Sequence, residues 1–102
     1  MNILTRQYAK DTHLVTRCIA GETIIVPVRS NVGDLNSIYT LNEVGTMIWE
    51  LIDGKNSAVQ IIEAICRDYE VGPEEASKDT VFLLESLEEA GLIAPLTESN
   101  ER

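Results

Sequence analysis

Residues 38–54 read IYTLNEVGTMIWELIDG, and this stretch decides the fold because a strand pattern runs directly into a helix pattern. The β-branched and aromatic residues at 38–40 favour a strand. Asn42 is a preferred helix N-cap, since its side-chain oxygen can accept a backbone N–H of the first turn. Gly54 suits a left-handed C-terminal cap. Between these two caps the apolar residues recur at helical spacing, at Val44, Met47, Ile48 and Leu51.

Two more strand patterns precede this stretch. Residues 13–19 alternate in polarity, and residues 23–28 read TIIVPV, which is rich in β-branched residues. Residues 20–22 form a short turn between them, so the two strands are predicted to form a hairpin. Pro27 cannot donate a ladder hydrogen bond and is expected near a strand end or on an outer edge. Residues 30–37 are rich in turn formers and predict a loop.

Two helix patterns follow residues 38–54. Ser57 is a suitable N-cap for a helix over 58–69, and Pro73 fits the first position of a third helix that ends near Gly91. The predicted order is therefore three strands and then three helices. This order indicates an α+β domain with a winged helix-turn-helix-like architecture, in which a three-helix bundle follows three N-terminal strands. The core stripe of the third helix is expected at Ala76, Thr80, Leu83, Leu84 and Leu87.

Length and charge limit the class of protein. A chain of 102 residues with 44% hydrophobic residues is typical of one globular domain. We expect a flexible N-terminal arm over 1–12, the folded domain over 13–94 and a disordered tail over 95–102. The net charge of −9 argues against non-specific nucleic-acid binding. No apolar run suits a membrane span or a signal-peptide core, so we expect a cytoplasmic protein without a membrane partner.

The chain offers little material for catalysis. His13 is the one histidine, and it has no paired carboxylate or cysteine near it in sequence. Cys18 and Cys66 match no metal-binding spacing, so we interpret both as reduced thiols in packed positions. The scattered serines have no triad pattern, and the glycines do not form a phosphate-binding loop. We therefore expect no catalytic residues, no metal, no cofactor and no enzyme activity.

Two features indicate binding. The predicted strand at 38–41 is short and follows a long loop, so it either lies at an open sheet edge, where a peptide can pair with it, or is covered. The third helix carries Val81 and Phe82 beside its core stripe, which widens its apolar arc. Either this helix is buried on two sides, or part of it lines a groove. Phe82 is the one phenylalanine, and an aromatic residue at a groove is a common binding anchor.

The sequence resembles the pyrroloquinoline quinone biosynthesis protein D (PqqD) family, whose members recognise peptides in pathways that modify ribosomally made peptides. The resemblance runs from about residue 13 to residue 93. Its motifs are ordinary core and cap residues, but their order and spacing together are specific. They are YTLN at 39–42, IWELIDG at 48–54, II at 61–62, YEV at 69–71, DTVFLL at 79–84, Leu87 and GLI at 91–93.

This resemblance implies a non-catalytic domain that binds the leader of a precursor peptide. The leader adds as a strand to the third strand and lies against the third helix, and the domain docks on a modifying enzyme, typically a radical S-adenosylmethionine enzyme. The buried helix positions fall on Thr80, Leu83, Leu84 and Leu87, of which Thr80 departs from the expected apolar residue. The peptide-binding residues implied are Ser37, Ile38, Tyr39, Thr40 and Leu41 on the strand, and Lys78, Val81, Phe82 and Glu85 on the helix.

Other interpretations stay open at this point. Lys78 and Arg29 are candidates to contact acidic residues of a leader, while the acidic surface meets a basic patch on the enzyme. A winged-helix DNA-binding regulator has a similar fold, but its recognition helix should be rich in Lys and Arg, and the second and third helices here are not. A protein–protein adaptor without a peptide substrate is a further alternative. An exposed third strand can also pair with its own copy in a homodimer.

Overall fold

The computed structural model describes residues 3–28 and 38–96. A short 3₁₀ turn at Ile3–Thr5 opens this part of the chain. The elements that follow, in chain order, are β1 (Tyr8–Lys10), β2 (Leu14–Ile19), β3 (Glu22–Pro27), β4 (Tyr39–Leu41), α1 (Glu43–Leu51), α2 (Ala58–Tyr69), α3 (Pro73–Glu89) and β5 (Ile93–Pro95). The predicted α+β class, with three helices and small sheets, is confirmed.

Strands β2, β3 and β4 form one antiparallel sheet with β3 in the middle. Each lies within one residue of its predicted bounds. The β2–β3 hairpin turns through Ala20 and Gly21, whose φ angles are 54° and 82°. Two successive positive φ angles give a turn whose twist matches the right-handed twist of the strands, which explains why glycine occupies the second position. The predicted loop over 30–37 lies outside the described residues.

The three helices begin where the sequence predicts. The Asn42 side chain accepts a hydrogen bond from the Gly45 backbone N–H at 2.9 Å, at the start of α1. At the start of α2, Ser57 and Gln60 form a reciprocal capping box. Pro73 occupies the first turn of α3, where its missing N–H has no intrahelical partner to lose. None of these helices is both long enough and apolar enough to cross a membrane.

Residues near the N-terminus are ordered parts of the fold, contrary to the predicted flexible arm. Tyr8–Lys10 pairs antiparallel with Ile93–Pro95, and the Tyr8 side chain is 1% exposed. The Arg6 carbonyl also accepts a hydrogen bond from the Ala58 N–H at 3.0 Å. The prediction was wrong for this part of 1–12, and the strand order has one extra strand at each end. Both extra strands have three residues, too few to give a local pattern, and their pairing joins distant segments.

Two ionisable residues of β1 have pKa values that their surroundings change. Burial raises the pKa of the Tyr8 hydroxyl, the charges of Glu88 and Glu85 raise it further, and Arg6 opposes them. Burial lowers the pKa of Lys10, whose ammonium lies 4.7 Å from the centroid of the Trp49 ring. The Lys10 ammonium therefore lies over the face of the Trp49 indole in α1, a favourable cation–π arrangement. Strand β1 thus closes the core over α1.

The core joins the sheet to all three helices. Its central residues are almost fully buried, and Trp49 of α1 is the largest side chain among them. The connection between β4 and α1 is the single residue Asn42, which keeps these two elements in contact. The buried hydrophobic cluster contains Tyr8, Ile25, Leu41, Ile48, Trp49, Ile52, Ala58, Ile61, Ile62, Ile65, Ala76, Leu84, Leu87, Leu92 and Ile93.

A buried polar contact fixes the junction between β4 and α1. The Thr23 hydroxyl on β3 donates to the Thr46 hydroxyl on α1 at 2.8 Å, and Thr46 donates to the Leu41 carbonyl at 3.4 Å. Thr23 is also the register partner of Leu41. A Cβ atom on Gly45 would lie 3.1 Å from the Leu41 Cβ, so this close approach favours glycine. Three elements are therefore tied together at one point.

Replacing Tyr8 with alanine is expected to lower the free energy of unfolding by about 3–5 kcal/mol, because it empties a fully buried aromatic site. Urea unfolding followed by circular dichroism measures this change. Val15→Ala on the exposed face of β2 is the control and should cost less than about 1 kcal/mol. A small effect of Tyr8→Ala, similar to the control, would mean that the N-terminal residues are only loosely attached.

The polar contact predicts an asymmetry between single and double variants. Thr46→Val leaves the Thr23 hydroxyl buried without its partner and should cost about 1–3 kcal/mol of unfolding free energy. The double variant Thr23→Val/Thr46→Val removes both hydroxyls and should recover most of that loss. Urea unfolding of the wild type, Thr23→Val, Thr46→Val and the double variant gives the coupling free energy between the two hydroxyls. The contact would be contradicted if the double variant lost as much unfolding free energy as the two single variants together.

Candidate functional site

Strand β4 lies at an edge of the three-stranded sheet. It pairs with β3 through Ile25–Tyr39, Ile24–Thr40 and Thr23–Leu41, and among residues 3–28 and 38–96 no strand pairs with its other side. An edge strand keeps backbone N–H and C=O groups available for another chain. With only three residues, β4 offers only a few such groups.

A cleft of about 670 Å³ opens beside this strand. Its walls come from the end of β4, the first turns of α1 and one face of α3, and its floor reaches α2 at Ile65. Most of the lining is apolar. The residues that line it are Glu22, Thr40, Leu41, Asn42, Val44, Gly45, Ile48, Ile65, Val71, Glu75, Ala76, Asp79, Thr80, Phe82 and Leu83. Its size and apolar lining are those of a ligand-binding site.

The rotation of α3 determines which residues face the cleft. Its buried residues are Ala76, Thr80, Leu84 and Leu87. The expected burial of Thr80, Leu84 and Leu87 is therefore confirmed, whereas Leu83 is only partly buried and lines the cleft. The cleft face runs through Glu75, Asp79 and Phe82, residues four and three positions apart. At 3.6 residues per turn, this face lies about a quarter of a turn from one centred on Lys78, Val81 and Glu85.

The structure brings three of the predicted peptide-binding residues together at the cleft: Thr40, Leu41 and Phe82. Phe82 is 71% exposed, the largest exposed fraction among the large hydrophobic residues in the described part of the chain. Ile38 is also exposed, and Tyr39 packs partly against the core, but neither lines the cleft. Ser37 lies outside the described residues.

The other three predicted helix residues, Lys78, Val81 and Glu85, do not line the cleft. Of these three, Glu85 is one of the charges that raise the pKa of the Tyr8 hydroxyl, a smaller effect than the burial of Tyr8. Their assignment to the peptide site stays a prediction. Arg29, the second proposed contact for an acidic leader, lies outside the described residues.

Sequence reasoning did not identify the charged residues of the cleft. Glu75 lies in the first turn of α3, where the positive end of the helix dipole is by itself a sufficient reason for a carboxylate. The spacing of Glu75, Asp79 and Phe82 on one helix face was the signal that could have found them. Glu22 adds a third carboxylate from β3, a contribution that only the folded chain reveals.

The cleft is acidic and contains one unusual polar atom. Its lining includes three carboxylates and, within residues 3–28 and 38–96, no Lys, Arg or His. Thr80 is 0% exposed, and its hydroxyl has no hydrogen-bond partner among the described residues. Buried hydroxyls normally have a partner, so Thr80 leaves one hydrogen bond unmade in the lining of the cleft.

The described residues present no cluster of side chains that could hold a metal ion. No group of three or more His, Cys, Asp or Glu side chains that could hold a metal ion occurs in residues 3–28 and 38–96. His13 is exposed, with its Nδ1 at 3.7 Å from the nearer Asp11 carboxylate oxygen. Cys18 is exposed and Cys66 partly buried, and neither forms a disulfide. The packed position expected for Cys18 is therefore wrong, because β2 is an outer strand.

Two solved structures share this fold. One is TbiB1 in complex with the TbiA(beta) leader peptide, with a TM-score of 0.73 and 21% sequence identity over 88% of this chain and 99% of that chain. The other is lasso peptide synthetase B1 complexed with the leader peptide, with a TM-score of 0.72 and 19% identity over 87% and 99% of the two chains. No curated protein gives a significant sequence match.

A family model supplies the classification. The model described as coenzyme PQQ synthesis protein D (PqqD) matches residues 22–93, which is most of the chain. The matched range includes β3, β4, all three helices and the start of β5, so it contains every residue that lines the cleft. The chain therefore belongs to the coenzyme PQQ synthesis protein D (PqqD) family.

Proposed function

We propose that this protein is a non-catalytic peptide-binding chaperone that captures the leader of a ribosomally made precursor peptide and presents it to a modifying enzyme. The observation that carries the proposal is the open edge of β4 beside a cleft walled by α3. A peptide strand added to this edge would run along the cleft. Family membership supports it, as do the leader peptides bound to the two structural relatives.

Main-chain pairing alone is too weak to explain capture. A three-residue edge can offer about three or four hydrogen bonds, each with a net value of about 1 kcal/mol. Even without the cost of association, this corresponds to a dissociation constant of about 1 mM. Side chains of the peptide must therefore bury apolar surface in the cleft, and Phe82 is the most exposed apolar group available for this contact.

The proposal assigns the binding surface to two elements. The proposed backbone edge consists of Tyr39, Thr40 and Leu41 with the preceding Ile38, and Ser37 stays a predicted contact. The cleft face of α3 around Phe82 forms the side-chain contact. Lys78, Val81 and Glu85 remain predicted contacts on the outer part of α3. In this arrangement β2–β4 serve as the wing of a winged helix-turn-helix-like domain, and the peptide occupies the angle between the wing and α3.

The partner enzyme completes the mechanism. We propose that the domain docks on a radical S-adenosylmethionine enzyme in the cytoplasm. Holding the leader on a domain that is itself bound to the enzyme raises the local concentration of the core peptide at the active site. The protein then needs no catalytic group of its own. A DNA-binding role lacks support, because the net charge is −9 and no basic residue in the described part of the chain lines the cleft.

A heteronuclear NMR titration tests strand addition. The labelled protein is titrated with the leader peptide of the precursor encoded nearest to it, and with the same peptide in scrambled order as the control. Shifts should concentrate at Tyr39–Leu41 and on the cleft face of α3, at Glu75, Asp79 and Phe82. The partner enzyme is then added to the same samples. Equal responses to the two peptides, with and without the enzyme, would contradict leader recognition.

Phe82→Ala is expected to weaken leader binding about tenfold or more, because the peptide loses its main apolar anchor. The free energy of unfolding should change by less than about 0.5 kcal/mol, since an exposed side chain contributes little to the core. Calorimetric titration and urea unfolding measure the two quantities. Val59→Ala on α2, another exposed apolar residue, is the matched control and should retain wild-type affinity. Full affinity in Phe82→Ala would remove Phe82 from the site.

A further inference from the structure

The charged residues that line the cleft are acidic, and their charge limits which ligands the cleft can bind. Glu22, Glu75 and Asp79 line it, and among the described residues no Lys, Arg or His does. Glu75 and Asp79 are four residues apart on one helix face, where like charges repel each other. Within residues 3–28 and 38–96, neither forms an ion pair with a basic side chain. A positive group entering the cleft would relieve this repulsion.

Thr80 gives a second and independent indication that the cleft binds a cationic group. It is fully buried, it lines the same cleft, and its hydroxyl has no partner among the described residues. It stands one residue after Asp79 in α3, where a purely apolar side chain would fill the core at no polar cost. A hydroxyl can accept a hydrogen bond from an ammonium or guanidinium group that enters the cleft.

The apolar part of the lining fits the rest of such a side chain. Ile48, Ile65 and Leu83 also line the cleft. Lys and Arg bury their aliphatic stems on apolar surface while the charged head stays with polar groups. A cleft with an apolar floor and acidic residues in its lining offers both environments to one long cationic side chain. An acidic peptide would instead place like charges against Glu75 and Asp79.

From these observations we propose that the cleft selects leader peptides by a Lys or Arg side chain. The charged head binds between Glu75 and Asp79 and donates to the Thr80 hydroxyl, and the stem lies on the apolar floor. This inference rests on the proposed function, because it names the side chain that a leader bound along β4 would place in the cleft. It assigns peptide selection to the cleft face of α3 rather than to Lys78.

Selection from a displayed library of random 12-residue peptides tests the inference, and it does not require the sequence of the natural leader. Three immobilised proteins are used: the wild type, E75Q/D79N and the control E74Q/E89Q. The control removes the same two charges from exposed residues of α3 that do not line the cleft. Thermal unfolding first establishes that both variants are folded. The wild type and the control should enrich peptides with a Lys or Arg at a fixed distance from an apolar residue.

The enriched peptides are then synthesised for affinity measurements. They should bind E75Q/D79N about five- to tenfold more weakly than the wild type, and the control should stay within about twofold. Replacing the basic residue of the peptide by Gln should cause the same loss on the wild type and no further loss on E75Q/D79N. Thr80→Val should weaken the basic peptide more than its Gln version.

The outcomes separate peptide selection from peptide binding. Enriched peptides without a basic residue, or equal affinity for the wild type and E75Q/D79N, would overturn the selection rule and leave peptide binding intact. Failure to enrich any peptide on any of the three proteins would overturn the proposed function, and the selection rule with it.

Discussion

The structure depends on the single residue that separates a strand from a helix. Asn42 ends β4 and caps α1, so the direction of the edge strand and the axis of the helix are set together. The Thr23–Thr46 hydrogen bond and the close approach of Gly45 to Leu41 hold this junction against β3. A longer connection would let β4 move independently of the helices. Because the connection is this short, the open edge keeps a fixed distance from the cleft.

The elements with local signals could be predicted from the sequence, and the long-range pairing could not. Asn42 and Ser57 are N-caps and Pro73 is the first residue of its helix, and the effect of each depends on neighbours in the chain, so all three helices were located correctly. Strands β1 and β5 have no such signal, because each gains its stability only from the other. Tyr8 therefore looked like part of an unstructured arm, although it is one of the most buried side chains in the protein.

The same difference between local signals and long-range packing explains which residues of the candidate site could be predicted. Phe82 was identified because its side chain is apolar where the core stripe does not need it, and this property can be read from the sequence alone. The rotation of α3 about its axis depends on which residues the neighbouring elements bury, and Thr80 at 0% exposure gave no apolar signal to define that face. The carboxylates of Glu75 and Asp79 were therefore not connected with a binding site. Their relation to Glu22 arises only when β3 and α3 meet at the cleft.

The pairing of β1 with β5 also determines how this domain can be joined to other proteins. Tyr8 and Pro95 are register partners, and the Leu96 N–H donates to the Gln7 carbonyl at 2.8 Å, so the chain leaves β5 beside the start of β1. A protein fused after β5 would therefore emerge next to β1. Because β1 and β5 form a sheet of their own, apart from β2–β4, such a fusion would not extend the sheet that carries the open edge of β4.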